Sequence, residues 1–400
     1  MKGAFIYVDA GKGHYVPAKA VYDRFLEKGH EATLDNLFLL MESEMWNRLV
    51  KSAWRRQLQH PKLERIENSF FDRSLSFHLV KFLAFINISE RRAFKAWYEK
   101  ERPDFIFCTN YFAGPILTTM LKHANINIPL FVLGTDVFDN QKTGVSNRID
   151  IQYMPSQLGV KNYKKHGFDP SIVKLCPFPL KKGMVQYVKY SKLQARKELK
   201  IELNKPTLIY NLGGEGIGHT LFIKAVVNQN LDWQIIVLGN MSRATQKRFD
   251  GFKQKNPNFS LVTPGFVNNV GLYIKACDVQ LGKTGGNAFL ESLYLHRPFL
   301  MSELLYCSKG YLEFMKDYKV GWAESNTKKQ IEILKQFLVS KADQEEMERT
   351  MSSLPISFDV PAFVDQIVED YKRLDTPEKL FAKRKRIKEN IKKDHHIKNR

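Results

Sequence analysis

The residues best placed to do chemistry in this 400-residue chain sit in three glycine-rich loops. The first is Asp9-Ala10-Gly11-Lys12-Gly13-His14. Gly11 and Gly13 let the backbone come close to a ligand, and a helix start behind them favours negative charge. His14 adds a group that can move a proton near neutral pH. A tight turn capped by His14 would use the same residues. The second loop, Leu212 to Gly218, carries Gly213, Gly214, Gly216 and Gly218. Four glycines in six positions expose N–H groups able to hold a diphosphate. The third is Gly282-Lys283-Thr284-Gly285-Gly286-Asn287, ahead of a helix bearing Glu291. A carboxylate there can accept both hydroxyls of a ribose; a surface glutamate favoured by the helix dipole would read alike. No cluster with metal-ligand spacing accompanies these loops.

Each loop needs a strand before it and a helix after it. Ala4 to Val8 is an apolar run, followed by a helical pattern that Gly29 stops, with Pro17 expected in the first turn. Phe105–Cys108, Leu130–Leu133, Ile149–Met154 and Ile172–Cys176 read as further strands. A basic, loop-like stretch from Pro179 to Lys205 separates them from a second set. That set is Thr207–Leu212, Gln234–Leu238, Ser260–Thr263, Asp278–Leu281 and Pro298–Met301. Repeated strand–helix units imply parallel sheets covered on both faces. Two sets joined by a linker imply two doubly wound domains, with ligands in the cleft beyond the strand ends.

Residues 38–100 interrupt the alternation with a helical, aromatic and basic insert. Trp46, Trp54, Phe70, Phe71, Phe77, Phe82, Phe85 and Trp97 are interleaved with Lys51, Arg55, Arg56, Arg65, Arg73 and Lys81. This describes a helix lying in a membrane interface, or an amphipathic pair packed on the first domain.

Composition narrows the class. The net charge is +20, and nucleic acid or anionic lipid is the usual partner of such a chain. No groove-reading motif is present, and the aromatics fall in helices instead of a stacking sheet, so nucleic acid is not expected. Residues 377–400 are a basic tail, either solvated or bound to an acidic surface. Cys108, Cys176, Cys277 and Cys307 are scattered; Cys108 and Cys277 read as buried thiols of a reducing compartment. The first residues already form a strand, so no cleaved leader is expected. No apolar run reaches the roughly 20 residues that span a bilayer.

These ordered blocks resemble the GT-B glycosyltransferases of the monogalactosyldiacylglycerol synthase and processive diacylglycerol glucosyltransferase group (glycosyltransferase family 28-like). Gly11-Lys12-Gly13-His14 with Pro17-Ala18 matches that group's first loop, and Leu212 to Gly218 its second. Gly265-Phe266-Val267 and Lys283 through Glu291 match its donor blocks, and Thr135-Asp136 its Thr-Asp pair. The resemblance covers residues 1–340. It implies an α/β GT-B fold: two Rossmann-like domains facing a cleft.

By residue, the resemblance implies that Phe266 and Val267 flank a uracil and Glu291 holds the ribose. Gly213, Gly214, Gly216, Gly218 and the turn Thr284, Gly285, Gly286, Asn287 meet the diphosphate, with Lys283 beside them. Gly11 and Gly13 wall the acceptor side. His14 and Asp136 are the candidates for base and base-orienter, with Asp136 also able to serve as the base. The donor would be a UDP-sugar, with no separate cofactor and no metal. The acceptor would be a diacylglycerol-type lipid at an anionic membrane surface, the hexose transferred with inversion. The protein would be cytoplasmic and peripheral on the inner face of the membrane. Domain boundaries are expected at 1–180, 181–350 and 351–376, the last a helix packing back on domain one.

Three departures bear on substrate. Lys12 replaces a small residue, Ala288 a threonine, and Leu305-Tyr306-Cys307-Ser308-Lys309-Gly310 stands where relatives carry a Gln-Glu or Asp-Gln pair for sugar hydroxyls. Lys309 could meet an acidic group on an unusual sugar, or sugar recognition could be lost. A catalytically altered nucleotide-sugar-binding protein, or a transferase with another acceptor, is the alternative.

Overall fold

Among the described residues, twelve parallel strands divide evenly between two sheets. The computed structural model describes residues 1–71, 88–139, 144, 146, 148–167, 169–214, 216, 220–283 and 285–374, with the backbone alone at 61, 70, 71 and 307. The first sheet comprises β1 (Lys2–Tyr7), β2 (Glu31–Asn36), β3 (Phe105–Cys108), β4 (Leu130–Leu133), β5 (Ile151–Met154) and β6 (Val173–Leu175), in the order β2-β1-β3-β4-β5-β6. The second comprises β7 (Thr207–Asn211), β8 (Gln234–Leu238), β9 (Leu261–Gly265), β10 (Val279–Lys283), β11 (Phe299–Glu303) and β12 (Gly321–Ala323), in the order β12-β11-β10-β7-β8-β9. Strands β3, β4, β5 and β8 are buried at every residue. Helices on both faces exclude water from them, so β3 and β4 read as unbroken apolar runs, while β5 and β8 also bury Gln152 and Gln234.

Three local differences from the sequence reading have physical causes. Strand β2, Glu-Ala-Thr-Leu-Asp-Asn, has no apolar run, because it lies at the sheet edge with most residues half-buried. Its pairing from Lys2–Glu31 to Tyr7–Asn36 defines it instead. Pro17 lies inside the Lys12–Glu27 helix and not at its start. The N-cap is Gly11 at φ 75°, so Lys12, Gly13 and His14 form the first turn. The stretch 179–205 is not all loop: Lys192–Leu199 is a helix, closed by a reciprocal capping box between Ser191 and Gln194.

Two features tie the domains together. Val137, Phe138, Phe178 and Leu180 from the first share one apolar core with Phe289, Phe299, Tyr311 and Phe314 from the second. Phe138 stacks on Phe314 with ring centroids 4.3 Å apart. The Val360–Arg373 helix returns to the first sheet, burying Phe363, Val364 and Ile367 against Phe5, Phe107 and Phe131. Tyr153 Oη donates to Asp370 Oδ2 of this helix at 2.8 Å.

The insert is helical over Leu37–Leu40, Glu44–Gln59, Pro61–Phe71 and Ile88–Glu101. Trp46, Phe94 and Trp97 pack into the first domain's core. Among the described residues its exposed large apolar side chains are aliphatic: Leu39, Met45, Leu49, Ile66 and Ile88. The packed-pair reading therefore holds for those aromatics, and aliphatic residues make the apolar surface of the described part. Residues Arg73, Phe77, Lys81, Phe82 and Phe85, the side chains of Phe70 and Phe71, and the tail 377–400 lie outside the described part. Cys108, Cys176 and Cys277 are buried, and burial pushes the Cys108 and Cys277 thiols up to about 12.

Candidate active site

Both sheets reverse strand order at one point, β1 against β3 and β7 against β10. Loops leaving the carboxyl ends of such neighbours diverge and open a crevice. Here the two crevices face each other across one cavity of about 580 Å³, lined from both domains. That is ample for a nucleotide-sized ligand.

The first wall carries His14. Its Nδ1 lies 3.0 Å from the Thr109 carbonyl and 2.8 Å from Thr135 Oγ1. Thr135 Oγ1 itself donates to the Thr109 carbonyl at 3.2 Å. The proton must therefore sit on Nδ1, which leaves Nε2 as an acceptor. Burial lowers the His14 pKa to about 4, opposed by the Thr109 bond, so the ring is neutral at pH 7. Asp136 lines the same wall. Burial first, then the Asp139 carboxylate, raise it to about 7. Asp139 in turn pairs with His166 Nε2 at 2.7 Å. The orienting partners of His14 are thus Thr109 and Thr135; Asp136 is the neighbouring carboxylate, not the residue bonded to Nδ1.

The second wall carries Gly213, Gly214, Phe266, Val267, Lys283, Gly285, Gly286, Asn287 and Glu291, all lining the cavity. Asn211 Oδ1 accepts from Gly213 N at 2.8 Å, and Asn240 Nδ2 donates to the Gly214 carbonyl at 2.5 Å. These bonds fix the loop after β7. Gly216 does not line the cavity; at φ 63° against the Asn240 backbone, it turns the loop. Gly218 and Thr284 lie outside the described residues. Phe266 is 64 % exposed, an open aromatic at the cavity edge. Glu291 is buried, which raises its pKa, while Lys181 Nζ at 3.6 Å pulls it down.

Contacts across the cleft place residues that sequence alone left open. Lys12 gives its carbonyl to Asn287 Nδ2 at 3.1 Å, and its side chain borders Gly214. It is a seam residue between the two walls. Lys283 lines the cavity, yet its ammonium is committed to Glu303 at 3.0 Å and the Leu58 carbonyl at 3.2 Å. Lys309 is exposed, rests 3.7 Å over the Tyr306 ring and is absent from the lining. Sequence reading missed Trp54, Gln57, Asn68, Tyr111 and Lys181, which line the cavity. Trp54 was visible as an aromatic of the insert; nothing local marked the others. Gly11 has to be glycine: at φ 75°, a Cβ would sit 2.8 Å from Trp54 Nε1.

Among the described residues, no group of three His, Cys, Asp or Glu could hold a metal ion, and no helix is long and apolar enough to cross a membrane.

No protein-family model matches the chain. It is 22% identical over 392 residues to monogalactosyldiacylglycerol synthase 3, chloroplastic, of Arabidopsis thaliana, covering 92% of this chain and 80% of that one. It is 21% identical over 196 residues to the processive diacylglycerol beta-glucosyltransferase of Staphylococcus epidermidis, covering 48% of each. The structure superposes on Anabaena HepE in complex with UDP-glucose with a TM-score of 0.58 at 13% identity, over 94% of this chain and all of that one. Two Rossmann-like sheets facing a nucleotide-sized cleft are the GT-B fold. Within that class, the chain resembles the monogalactosyldiacylglycerol synthases and the processive diacylglycerol glucosyltransferases.

Proposed function

We propose that this chain transfers a hexose from a UDP-sugar to the hydroxyl of a diacylglycerol-type lipid, with inversion, at an anionic membrane surface. The observation that carries this reading is the opposed chemistry of one cavity. Glu291 and the glycine loops lie on one wall, and tautomer-fixed His14 beside Asp136 lies on the other.

The ribose hydroxyls donate to Glu291. The diphosphate lies against Gly213, Gly214 and the start of the Gly286–Tyr294 helix, whose N–H groups and dipole favour the charge growing on departing UDP. The acceptor oxygen bonds to the anomeric carbon as the carbon–oxygen bond to the β-phosphate breaks. UDP leaves with that electron pair. Asp136 takes the acceptor hydroxyl's one proton, and the neutral His14 ring, held by Thr109 and Thr135, walls the acceptor side next to it. A base near pKa 7 suits that transfer better than one near 4.

The insert supports the membrane part of the reading. Met45, Leu49 and Ile66 expose 50–69 % of their surface, with Arg48, Arg55, Lys62 and Arg65 exposed on the same two helices. Aliphatic groups with cations beside them suit an anionic interface. The basic tail and a cytoplasmic, inner-face position fit the same picture.

The experiment is a UDP-release screen across UDP-sugars with diacylglycerol vesicles. Release that depends on both donor and vesicle is expected. Failure of every UDP-sugar to bind or turn over would overturn the reading.

A further inference from the structure

The cavity between the glycine loops and His14 is lined by the insert as well as by the second domain. Two bonds hold the insert there. Lys283, at the end of β10, donates Nζ to the Leu58 carbonyl at 3.2 Å. Glu64, fully buried, accepts the backbone N–H of Tyr306 at 2.7 Å, just beyond β11. The corner between the insert's second and third helices is therefore anchored over the carboxyl ends of β10 and β11. The loop beyond β11 turns its cation away, with Lys309 over Tyr306 and outside the cavity lining.

The insert's own side chains reach the cavity: Trp54, Gln57 and Asn68 line it. Gln57 Nε2 donates to Glu67 Oε2 at 2.8 Å, and Asn68 Nδ2 donates to Glu64 Oε1 at 2.7 Å. Both amide nitrogens are thus held by carboxylates of the insert, which fixes each amide's orientation and leaves the Gln57 oxygen as an acceptor. The Trp54 indole closes against Gly11. A pyranose has the complementary shape: a C–H face for an indole and an equatorial rim of hydroxyls for amides.

We propose that the insert reads the donor hexose, through the Trp54 ring and the Gln57 and Asn68 side chains. This rests on the UDP-sugar reading above. The insert then has two tasks, an exposed aliphatic–basic face for the membrane and an inner edge for sugar choice. Sugar recognition has moved to the insert instead of being lost.

The test is calorimetric titration of the full chain with UDP, UDP-glucose, UDP-galactose and UDP-N-acetylglucosamine. A spread of about tenfold or more among the sugars is expected for the wild type, since a site that hydrogen-bonds hydroxyls penalises mismatched ones. Gln57→Leu and Asn68→Leu should hold UDP affinity within about twofold while shrinking that spread to under about threefold. If Gln57→Leu loses UDP itself, Gln57→Asn keeps the amide, shortens its reach and reports the spread in its place. An unchanged spread in these variants, or none in the wild type, overturns the proposal. A wild type that binds no UDP at all overturns the UDP-sugar reading instead.

Discussion

The acidic limb of the pH–rate profile separates the two bases this cleft offers. With Asp136 as base, only its ionised form works. Its pKa, raised from 3.8 to about 7, places the limb at neutral pH. About one tenth of the carboxyl is ionised at pH 6 and about one hundredth at pH 5, so kcat/KM should fall about tenfold per unit below 7. His14, at about 4, stays neutral over that whole range and contributes no limb there. Asp136→Asn should remove the limb and cost about 10²–10⁴ in kcat, the usual worth of a positioned base. The assay is UDP release from pH 5 to 9 with saturating vesicles. A wild-type profile that stays flat from pH 5 to 7 would refute Asp136 and return the proton to His14. Stability gives an independent sign. Between the unfolded and folded pKa values the folded state holds more protons, so it loses stability as pH rises through that window. Asp136→Asn should therefore melt higher than wild type above pH 7 and match it below pH 4, by differential scanning fluorimetry.

Other outcomes follow from the same geometry. Glu291→Ala should weaken UDP binding about 10–100-fold by removing hydrogen bonds to a charged acceptor, while His14→Ala lowers transfer and keeps UDP affinity; calorimetry with UDP and UDP release check the two, and equal loss of UDP affinity would contradict the division between walls. Phe138→Ala should cost about 3–5 kcal/mol, because a fully buried ring stacked on Phe314 leaves a cavity in the shared core, and a chemical melt would reveal it. Replacing Met45 and Leu49 with serine should lower flotation with anionic vesicles while UDP binding persists; unchanged flotation would move the membrane face elsewhere.

Much of the framework was legible in one dimension. Buried strands such as Leu130–Leu133 and Gln234–Leu238 announce themselves as apolar runs because both their faces are covered. The glycine loops after β1, β7 and β10 stand out because few other residues serve at a strand–helix junction that meets a ligand. Edge strand β2 was not legible, since its pairing with β1 rather than its composition makes it a strand. The start of the first helix was misplaced because Pro17 is tolerated inside it.

Sequence by itself determined two parallel α/β domains, the loops that face each other and the residue types in them. Those properties depend on local pattern: periodicity, glycine and helix start. Only the tertiary structure decided which partners those residues take. It bonded His14 to Thr109 and Thr135, left Asp136 as the separate raised carboxyl, and placed Lys12 on the seam between walls. It also swung Trp54, Gln57 and Asn68 over the second domain, and turned Lys309 away. Residues more than 200 positions apart, such as Glu64 and Tyr306, meet only once both domains and the insert have packed. Burial, which lowers the pKa of His14 and raises those of Asp136 and Glu291, likewise exists only after that packing.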